Sequence, residues 1–153
     1  MRSPWLDLLG SIIGTFGNAE VTLGVALGIA VARWRHASPG AIVPLFIVVT
    51  LVIEIVLKIL IPHPAPPADR ARTLELLPHI SAPLAYSFPS GHLARVSFLA
   101  GIVDGVPLWL RVVAEMLMFV SHIYLGEHWL SDCLGGVALG LLVAAVARRV
   151  SPT

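Results

Sequence analysis

Long apolar segments constrain this chain more than any other feature of its sequence. Hydrophobic residues make up 57% of the 153 residues and charged residues only 12%, with a mean hydropathy of +0.88. An ordinary soluble domain carries about 25% charged residues. Because one bilayer crossing needs about 20 apolar residues, the length allows about five or six spans and no separate soluble domain. We therefore predict a single membrane-embedded domain over residues 1–153.

Charged residues, prolines and short turns bound the apolar segments. They predict five transmembrane helices, over residues 18–34, 41–61, 90–103, 107–125 and 129–147. Since the turns near residues 104–106 and 126–128 are short, consecutive helices must be antiparallel neighbours. The predicted fold class is all-α, a polytopic membrane helix bundle. Residues 1–16 add an N-terminal interfacial helix, anchored among the headgroups by Trp5.

Two pairs of glycines occur at the spacing that brings helices together. Gly24 and Gly28 lie in the first predicted span, and Gly136 and Gly140 lie in the fifth. Small residues four positions apart share one helix face and let two backbones approach closely. We expect both helices to pack through these faces.

Arginine placement predicts the orientation of the bundle. With alternating spans, five arginines fall on one side: Arg33, Arg35, Arg111, Arg148 and Arg149. By the positive-inside rule that side is the cytoplasm, so the proline-rich loop of residues 62–89 and the turn carrying His128 face outward. The formal net charge of +1 and the lack of a basic stripe indicate no nucleic-acid partner.

Residues suited to phosphate chemistry gather at the outward ends of the predicted spans. Pro89-Ser90-Gly91-His92 opens the third span, where Ser90 and Gly91 expose backbone N–H donors that favour phosphate. His92, one step inside, is positioned to give a proton to a leaving oxygen. Lys58, at the end of the second span, could neutralise phosphate oxygens.

A second histidine lies between the last two spans. His128 and Asp132 are four residues apart, so in a helix the carboxylate lies beneath the imidazole. Asp132 can then accept the Nδ1 proton, leave Nε2 free as a nucleophile and stabilise the positive charge that develops when phosphorus is attacked. A covalent phosphohistidine would divide one difficult displacement into two easier ones, with His92 acting first as acid and then as base.

These motifs resemble those of the type-2 phosphatidic acid phosphatase (PAP2) family, which also includes vanadium haloperoxidases. The family signature is a lysine with Arg-Pro seven and eight positions later, then Pro-Ser-Gly-His, then Ser-Arg followed by a histidine and an aspartate. The matching residues, within residues 54–140, are Lys58, Pro89-Ser90-Gly91-His92, Ser121, His128 and Asp132. Three ordered motifs in one membrane chain are far more specific than any one alone.

The resemblance implies a role for each matching residue. His128 would be the nucleophile, Asp132 its partner and His92 the general acid, with no metal or cofactor. The implied phosphate ligands are Lys58, Ser90, Gly91 and Ser121.

Both signature arginines are missing. Ala65 stands before Pro66, and His122 follows Ser121. Loss of one such donor typically lowers the rate about a hundredfold or more, because neither residue offers a bidentate guanidinium. An adjacent phosphate would favour the charged form of His122, which could then replace one arginine.

Three other arginines could also replace the missing pair. Arg70 and Arg72 lie in the loop beside Ala65. Arg95 lies three residues beyond His92 on the same helix face and could reach the phosphate.

Several polar residues allow plainer interpretations. His36, His63 and His79 are interpreted as headgroup or packing residues, and Glu54 with Lys58 could be only a neutralised intramembrane pair. Glu127, beside the predicted nucleophile, is expected to face solvent. The residues that could together ligate a metal are His92, His122, Glu127, His128 and Asp132. We favour no metal site, because Pro-Ser-Gly-His is not a ligand spacing and no His-x-x-x-His pair is present.

The sequence thus predicts a membrane lipid phosphatase. It would hydrolyse a lipid phosphomonoester or polyprenyl diphosphate through phosphohistidine, at the outer face of a bacterial-type cytoplasmic membrane. Its partners would be the lipid phosphate and the bilayer, and the sequence does not select one lipid. Because two arginines are missing, the alternative is a weakened or inactive relative that binds lipid phosphate or scaffolds a partner protein.

Overall fold

The computed structural model describes residues 3–38, 40–77 and 86–150. The α-helices in these ranges are α1 (Pro4–Thr15), α2 (Ala19–Arg35), α3 (Ile47–Leu60), α4 (Gly91–Ile102), α5 (Leu108–Tyr124) and α6 (Leu130–Val150). One-turn 3-10 helices cover Val43–Phe46, which leads directly into α3, and Ala68–Arg70, in the loop that follows α3. The predicted all-α fold is confirmed, and each predicted span contains a helix.

The helices differ in whether they are long enough to cross a bilayer. In the described ranges, Val43–Leu60 and Leu130–Val150 are long and apolar enough to span, and α1 with α2 qualifies as one span bent by 44°. The 12 residues of α4 are shorter than a bilayer crossing, since they extend only about 18 Å against a hydrocarbon core of about 30 Å.

The short helix α4 lies at the centre of the bundle. It packs against α2, α3, α5 and α6. Its buried residues are Gly91, Leu93, Ala94, Arg95, Ser97, Phe98 and Ile102. A helix covered on every side needs no polar face, which explains why this segment shows little amphipathic pattern.

The closest helix contact joins α4 and α6 through two glycines. A side-chain carbon added at Gly136 would collide with the carbonyl oxygen of Ser90, and one added at Gly140 would collide with that of Ala94. The predicted role of this glycine pair is confirmed.

The corresponding prediction for α2 is wrong. Nothing in the described part of the chain lies within 4 Å of a carbon added at Gly24 or Gly28, and both residues are exposed. This helix packs instead through the small residues Thr22, Ala26 and Ala30, which repeat at the same spacing on another face. Spacing alone therefore did not identify which face is buried.

Three arginines meet at the C-terminal end of α4. Arg33, Arg111 and Arg148 each donate to a carbonyl of its last turn, at 2.8–3.0 Å. Asp104 joins two of them, at 2.7 Å from Arg33 and 2.9 Å from Arg148. Cations at a helix C-terminus satisfy its free carbonyls and complement the helix dipole. These arginines share one end of the bundle, as predicted, and His92 begins α4 at the other end.

The substitution Gly140→Ala tests the α4–α6 contact. The added methyl group meets the backbone of α4, which cannot move without disturbing the core, so we expect a loss of about 1–3 kcal/mol in stability. Thermal unfolding in detergent can be followed with a thiol-reactive dye, because the free thiol of Cys133 is buried in the folded state. Gly24→Ala is the matched control and should leave the midpoint unchanged or slightly raised. Equal midpoints for the two variants would contradict the packing described here.

Candidate active site

Three histidines meet near the ends of α4, α5 and α6. His92 lies in the first turn of α4, His122 in the last turn of α5 and His128 just before α6. The ring centroids of His92 and His122 are 4.6 Å apart, and those of His122 and His128 are 5.6 Å apart. One ring nitrogen of each histidine lies within 4.8 Å of the other two. The structure therefore brings His92 and His128 together, and it places His122 with them.

Asp132 lies behind His128. Its Oδ2 atom is 3.5 Å from Nδ1 of His128 and accepts a hydrogen bond from the backbone N–H of Trp129 at 2.8 Å. A carboxylate facing Nδ1 favours the tautomer whose Nε2 carries a lone pair. Burial lowers the pKa of His128 below its ordinary value of 6.5, although Asp132 opposes that shift. The imidazole is consequently neutral at pH 7, as a nucleophile must be.

His63 shares the same carboxylate. Its Nδ1 atom lies 3.0 Å from Oδ1 of Asp132. The loop is held there because Ser87 donates its N–H to the His63 carbonyl and the indole of Trp129 donates to the Pro64 carbonyl, both at 2.9 Å. The interpretation of His63 as a headgroup or packing residue is therefore wrong. No local pattern indicates its position, since the path of a proline-rich loop depends on tertiary contacts.

Glu127 faces inward and contacts His122. One carboxylate oxygen lies against Nδ1 of His122, and the other accepts a hydrogen bond from the hydroxyl of Thr73. Burial alone would raise the pKa of Glu127, but the hydrogen bonds from His122 and Thr73 lower it to about 2. The expectation that Glu127 faces solvent is thus wrong. An ionised carboxylate only accepts hydrogen bonds, so Nδ1 of His122 carries the hydrogen.

The connection between α1 and α2 covers His92. The side-chain oxygen of Asn18 lies 2.9 Å from Nε2 of His92, and a carbon added at Gly17 would come within 2.8 Å of the His92 ring. Glycine is needed here because the backbone approaches the imidazole so closely. Sequence reasoning missed this contribution, since residues 17 and 18 belong to no motif and Asn18 lies 74 positions from the ring it contacts.

Glu54 joins two cations beside the histidines. Its Oε1 atom is 3.4 Å from Nζ of Lys58, and its Oε2 atom accepts a hydrogen bond from Arg95 at 2.7 Å. Two further N–H groups of Arg95 donate to the carbonyl of Gly17, at 3.0 and 3.2 Å. Three N–H groups of Arg95 are thus used inside the protein, and the binding of phosphate by Arg95 stays a prediction.

The remaining predicted phosphate ligands occupy different positions. The hydroxyl of Ser90 is buried and has no hydrogen-bond partner among the described residues. Gly91 packs against the carboxylate of Glu54. Ser121 is buried and borders an apolar cavity between α1 and α5.

The loop arginines do not replace the missing pair in this arrangement. Ala65 is exposed. Arg70 and Arg72 line a separate cavity of about 370 Å³, and the guanidinium of Arg72 lies 5.1 Å above the ring of Tyr124. Neither guanidinium therefore stands among the three histidines.

A sequence model of the PAP2 superfamily matches residues 39–153, which include all three motifs. The chain belongs to the PAP2 superfamily. A crystal structure titled as the first transmembrane PAP2-type phosphatidylglycerolphosphate phosphatase, from Bacillus subtilis, has a TM-score of 0.79 at 25% identity. It matches 98% of this chain and 78% of its own. The resemblance drawn from the motifs is confirmed, and this PAP2 protein is an integral membrane protein.

Curated relatives of this PAP2 protein carry phosphatase names. Decaprenylphosphoryl-5-phosphoribose phosphatase from Mycobacterium tuberculosis is 33% identical over 121 residues, which are 77% of this chain and 61% of the relative. Phosphatidylglycerophosphatase B from Bacillus subtilis is 29% identical over 160 aligned positions, covering 94% of this chain and 74% of the relative. The chain thus spans about three fifths of the length of the mycobacterial relative.

Substitution of His63 tests whether it positions Asp132. His63→Ala removes the imidazole whose Nδ1 lies 3.0 Å from Oδ1 of Asp132 and should lower kcat by about tenfold to a hundredfold, because a displaced carboxylate no longer orients His128. His63→Gln keeps an N–H donor and should retain most of the activity. Phosphate release from a lipid phosphate in detergent measures both. Equal losses in the two variants would show that the polar contact with Asp132 is not what His63 contributes.

Proposed function

We propose that this PAP2 protein is a membrane phosphatase that removes phosphate from a lipid phosphomonoester or a polyprenyl diphosphate. The observation that carries the proposal is the approach of His92 and His128, whose ring nitrogens come within 4.8 Å while Asp132 stands behind His128. Two imidazoles this close can act on opposite sides of a single phosphorus atom.

In the first step, Nε2 of His128 attacks phosphorus and the bond to the lipid oxygen breaks. Asp132 stabilises the positive charge that forms on the imidazole. His92 gives a proton to the leaving oxygen. Because Asn18 holds Nε2 of His92, Nδ1 is the nitrogen left for this transfer. The products of the step are the free lipid alcohol, or the lipid monophosphate from a diphosphate, and a phosphohistidine.

In the second step, water attacks phosphorus of the phosphohistidine. His92, now lacking the transferred proton, accepts one from the water, and the bond between phosphorus and His128 breaks. Inorganic phosphate leaves and both histidines return to their starting states. Each proton and each bond is accounted for by residues of this chain, so the proposed cycle uses no cofactor.

The phosphate oxygens would be bound by a set of donors that differs from the family signature. Ser90 offers a buried hydroxyl that lacks a hydrogen-bond partner, and Lys58 offers a cation that Glu54 orients. His122 replaces one arginine and, when protonated, supplies one charged donor where arginine supplies two in a plane. We expect phosphate to be bound more weakly than in relatives that retain both arginines.

An apolar cavity supports a lipid as the substrate. It has a volume of about 270 Å³ and lies between α1 and α5. The residues that line it are Leu6, Leu9, Gly10, Ile13, Leu117, Val120, Ser121 and Tyr124. Since Ser121 precedes His122, an acyl or prenyl chain in this cavity would end beside the histidines. By the positive-inside rule, the arginines at the opposite end of the bundle support the proposal that the site faces outward from a cytoplasmic membrane.

A binding protein without turnover is the second candidate. It is favoured by the exposed Ala65 and by the pairing of His122 with Glu127, because both signature guanidinium groups are missing from the site. Such a protein would retain lipid phosphate without hydrolysing it.

Phosphate release from a panel of lipid phosphates in detergent separates these functions. The panel should include a polyprenyl diphosphate, a phosphatidic acid and a phosphatidylglycerophosphate. We expect turnover of at least one, and His128→Ala should lower kcat by at least about a thousandfold because it removes the nucleophile. His36→Ala, at the far end of α2, is the matched histidine control and should keep the activity.

The outcomes distinguish the two candidates. Turnover that survives His128→Ala would refute the assigned nucleophile. A wild-type protein that binds the panel but releases no phosphate would establish the binding protein in place of the enzyme.

A further inference from the structure

We propose that His92, His122 and His128 form a binding site for a divalent transition-metal ion, Zn²⁺ above all, that blocks the histidine nucleophile. Three imidazole nitrogens with one open position are a ligand set that zinc accepts readily. The proposal that a metal binds rests only on the geometry of the three rings. The inhibitory effect rests in addition on the proposed phosphatase function.

Each of the three rings has one nitrogen that faces a side-chain oxygen. Nε2 of His92 lies 2.9 Å from the oxygen of Asn18, Nδ1 of His122 lies against a carboxylate oxygen of Glu127, and Nδ1 of His128 lies 3.5 Å from Asp132. Metal-binding histidines show this arrangement, because an oxygen partner on one nitrogen fixes the tautomer and raises the basicity of the other. Three rings oriented in this way can offer three lone pairs at once.

Ring nitrogens of the three histidines lie near the separation that a metal requires. Ligand nitrogens at about 2.0–2.1 Å from a tetrahedral zinc are roughly 3.4 Å from one another. One ring nitrogen of each histidine lies within 4.8 Å of the other two, so small rotations of the imidazoles would bring the three nitrogens to that separation. His122 supplies independent support, since its Nε2 atom is buried and lacks a hydrogen-bond partner among the described residues.

A small cavity beside two of the three rings has room for a further ligand. It has a volume of about 60 Å³ and touches His92, His122 and Glu127, with residues 73–77 on its outer side. This volume holds water molecules, which could complete the coordination of the ion.

The site depends on histidine at position 122. An arginine there, as in the family signature, cannot donate a lone pair and would repel a cation. Two histidines alone would hold a metal only weakly. The ligands come from three separate elements, which is why the sequence spacing gave no indication of a metal site.

Zinc binding would have a direct consequence for the proposed reaction. Coordination by Nε2 of His128 uses the same lone pair that attacks phosphorus, and coordination by His92 occupies the nitrogen that transfers the proton. Metal and substrate phosphate therefore compete for the same space and the same electrons. We expect Zn²⁺ to inhibit hydrolysis and phosphate to weaken Zn²⁺ binding.

Metal titration of the purified, chelator-treated protein in detergent tests the proposal without relying on turnover. Calorimetry with Zn²⁺ should give one site per chain, and Co²⁺ should produce the visible absorption of a tetrahedral complex. His122→Gln and His122→Arg should each weaken binding by at least about tenfold. His36→Ala is the control for adventitious binding, because it removes a histidine roughly 27 Å along α2 from Asn18, and it should bind as the wild type does.

Two further measurements distinguish a loss of metal binding from a loss of folding and from an absence of phosphatase activity. Saturating Zn²⁺ should raise the unfolding midpoint of the wild type more than that of His122→Gln, and both proteins should unfold cooperatively without metal. A wild type that binds neither ion, or a His122→Gln variant that binds as tightly as the wild type, would overturn the metal site even if phosphatase activity is present. Specific metal binding by a protein that hydrolyses no lipid phosphate would support the site and refute the proposed function.

Discussion

The contact between α4 and α6 determines the distance between the two proposed catalytic histidines. Gly136 and Gly140 let α6 pack directly on the backbone of α4, and the N–H of Ser90 donates to the carbonyl of Asp132 at 2.9 Å. Because His92 begins one helix and His128 precedes the other, no flexible segment lies between each ring and this contact. The chemistry at one end of the bundle therefore depends on packing that involves no catalytic group.

Charge pairing inside the bundle explains how so many ionisable groups are accommodated. Glu54 is shared by Lys58 and Arg95, and Asp132 is shared by His63 and His128. An unpaired charge in this environment would cost several kcal/mol, so each carboxylate is surrounded by donors. The pairing with Glu54 leaves Arg95 fewer N–H donors for a substrate phosphate.

Sequence patterns predicted the parts of the site that depend on local structure. Proline, serine and glycine before His92 mark the start of a helix, and the four-residue spacing of His128 and Asp132 is set by helix geometry. Asn18, His63 and Glu127 were missed or misjudged because their positions depend on how distant loops fold back. Arg95 was assigned to phosphate for a related reason, since periodicity places it on the face of His92 but does not reveal that Glu54 and Gly17 occupy it.

Because His122 replaces an arginine of the family signature, this PAP2 protein can bind different ions at that position. An imidazole at this position can offer an N–H donor to a phosphate or a lone pair to a metal ion, whereas a guanidinium can only donate. Both uses require the three imidazoles to converge as they do here.

A structure determined with bound vanadate, which imitates phosphorus in its transition state, tests the central claim most directly. The account predicts vanadium bonded to Nε2 of His128, with His92 beside the opposite oxygen and Ser90 and Lys58 around the remaining oxygens. Vanadate bonded to another residue, or His92 and His128 on separate sides of an empty cleft, would contradict it.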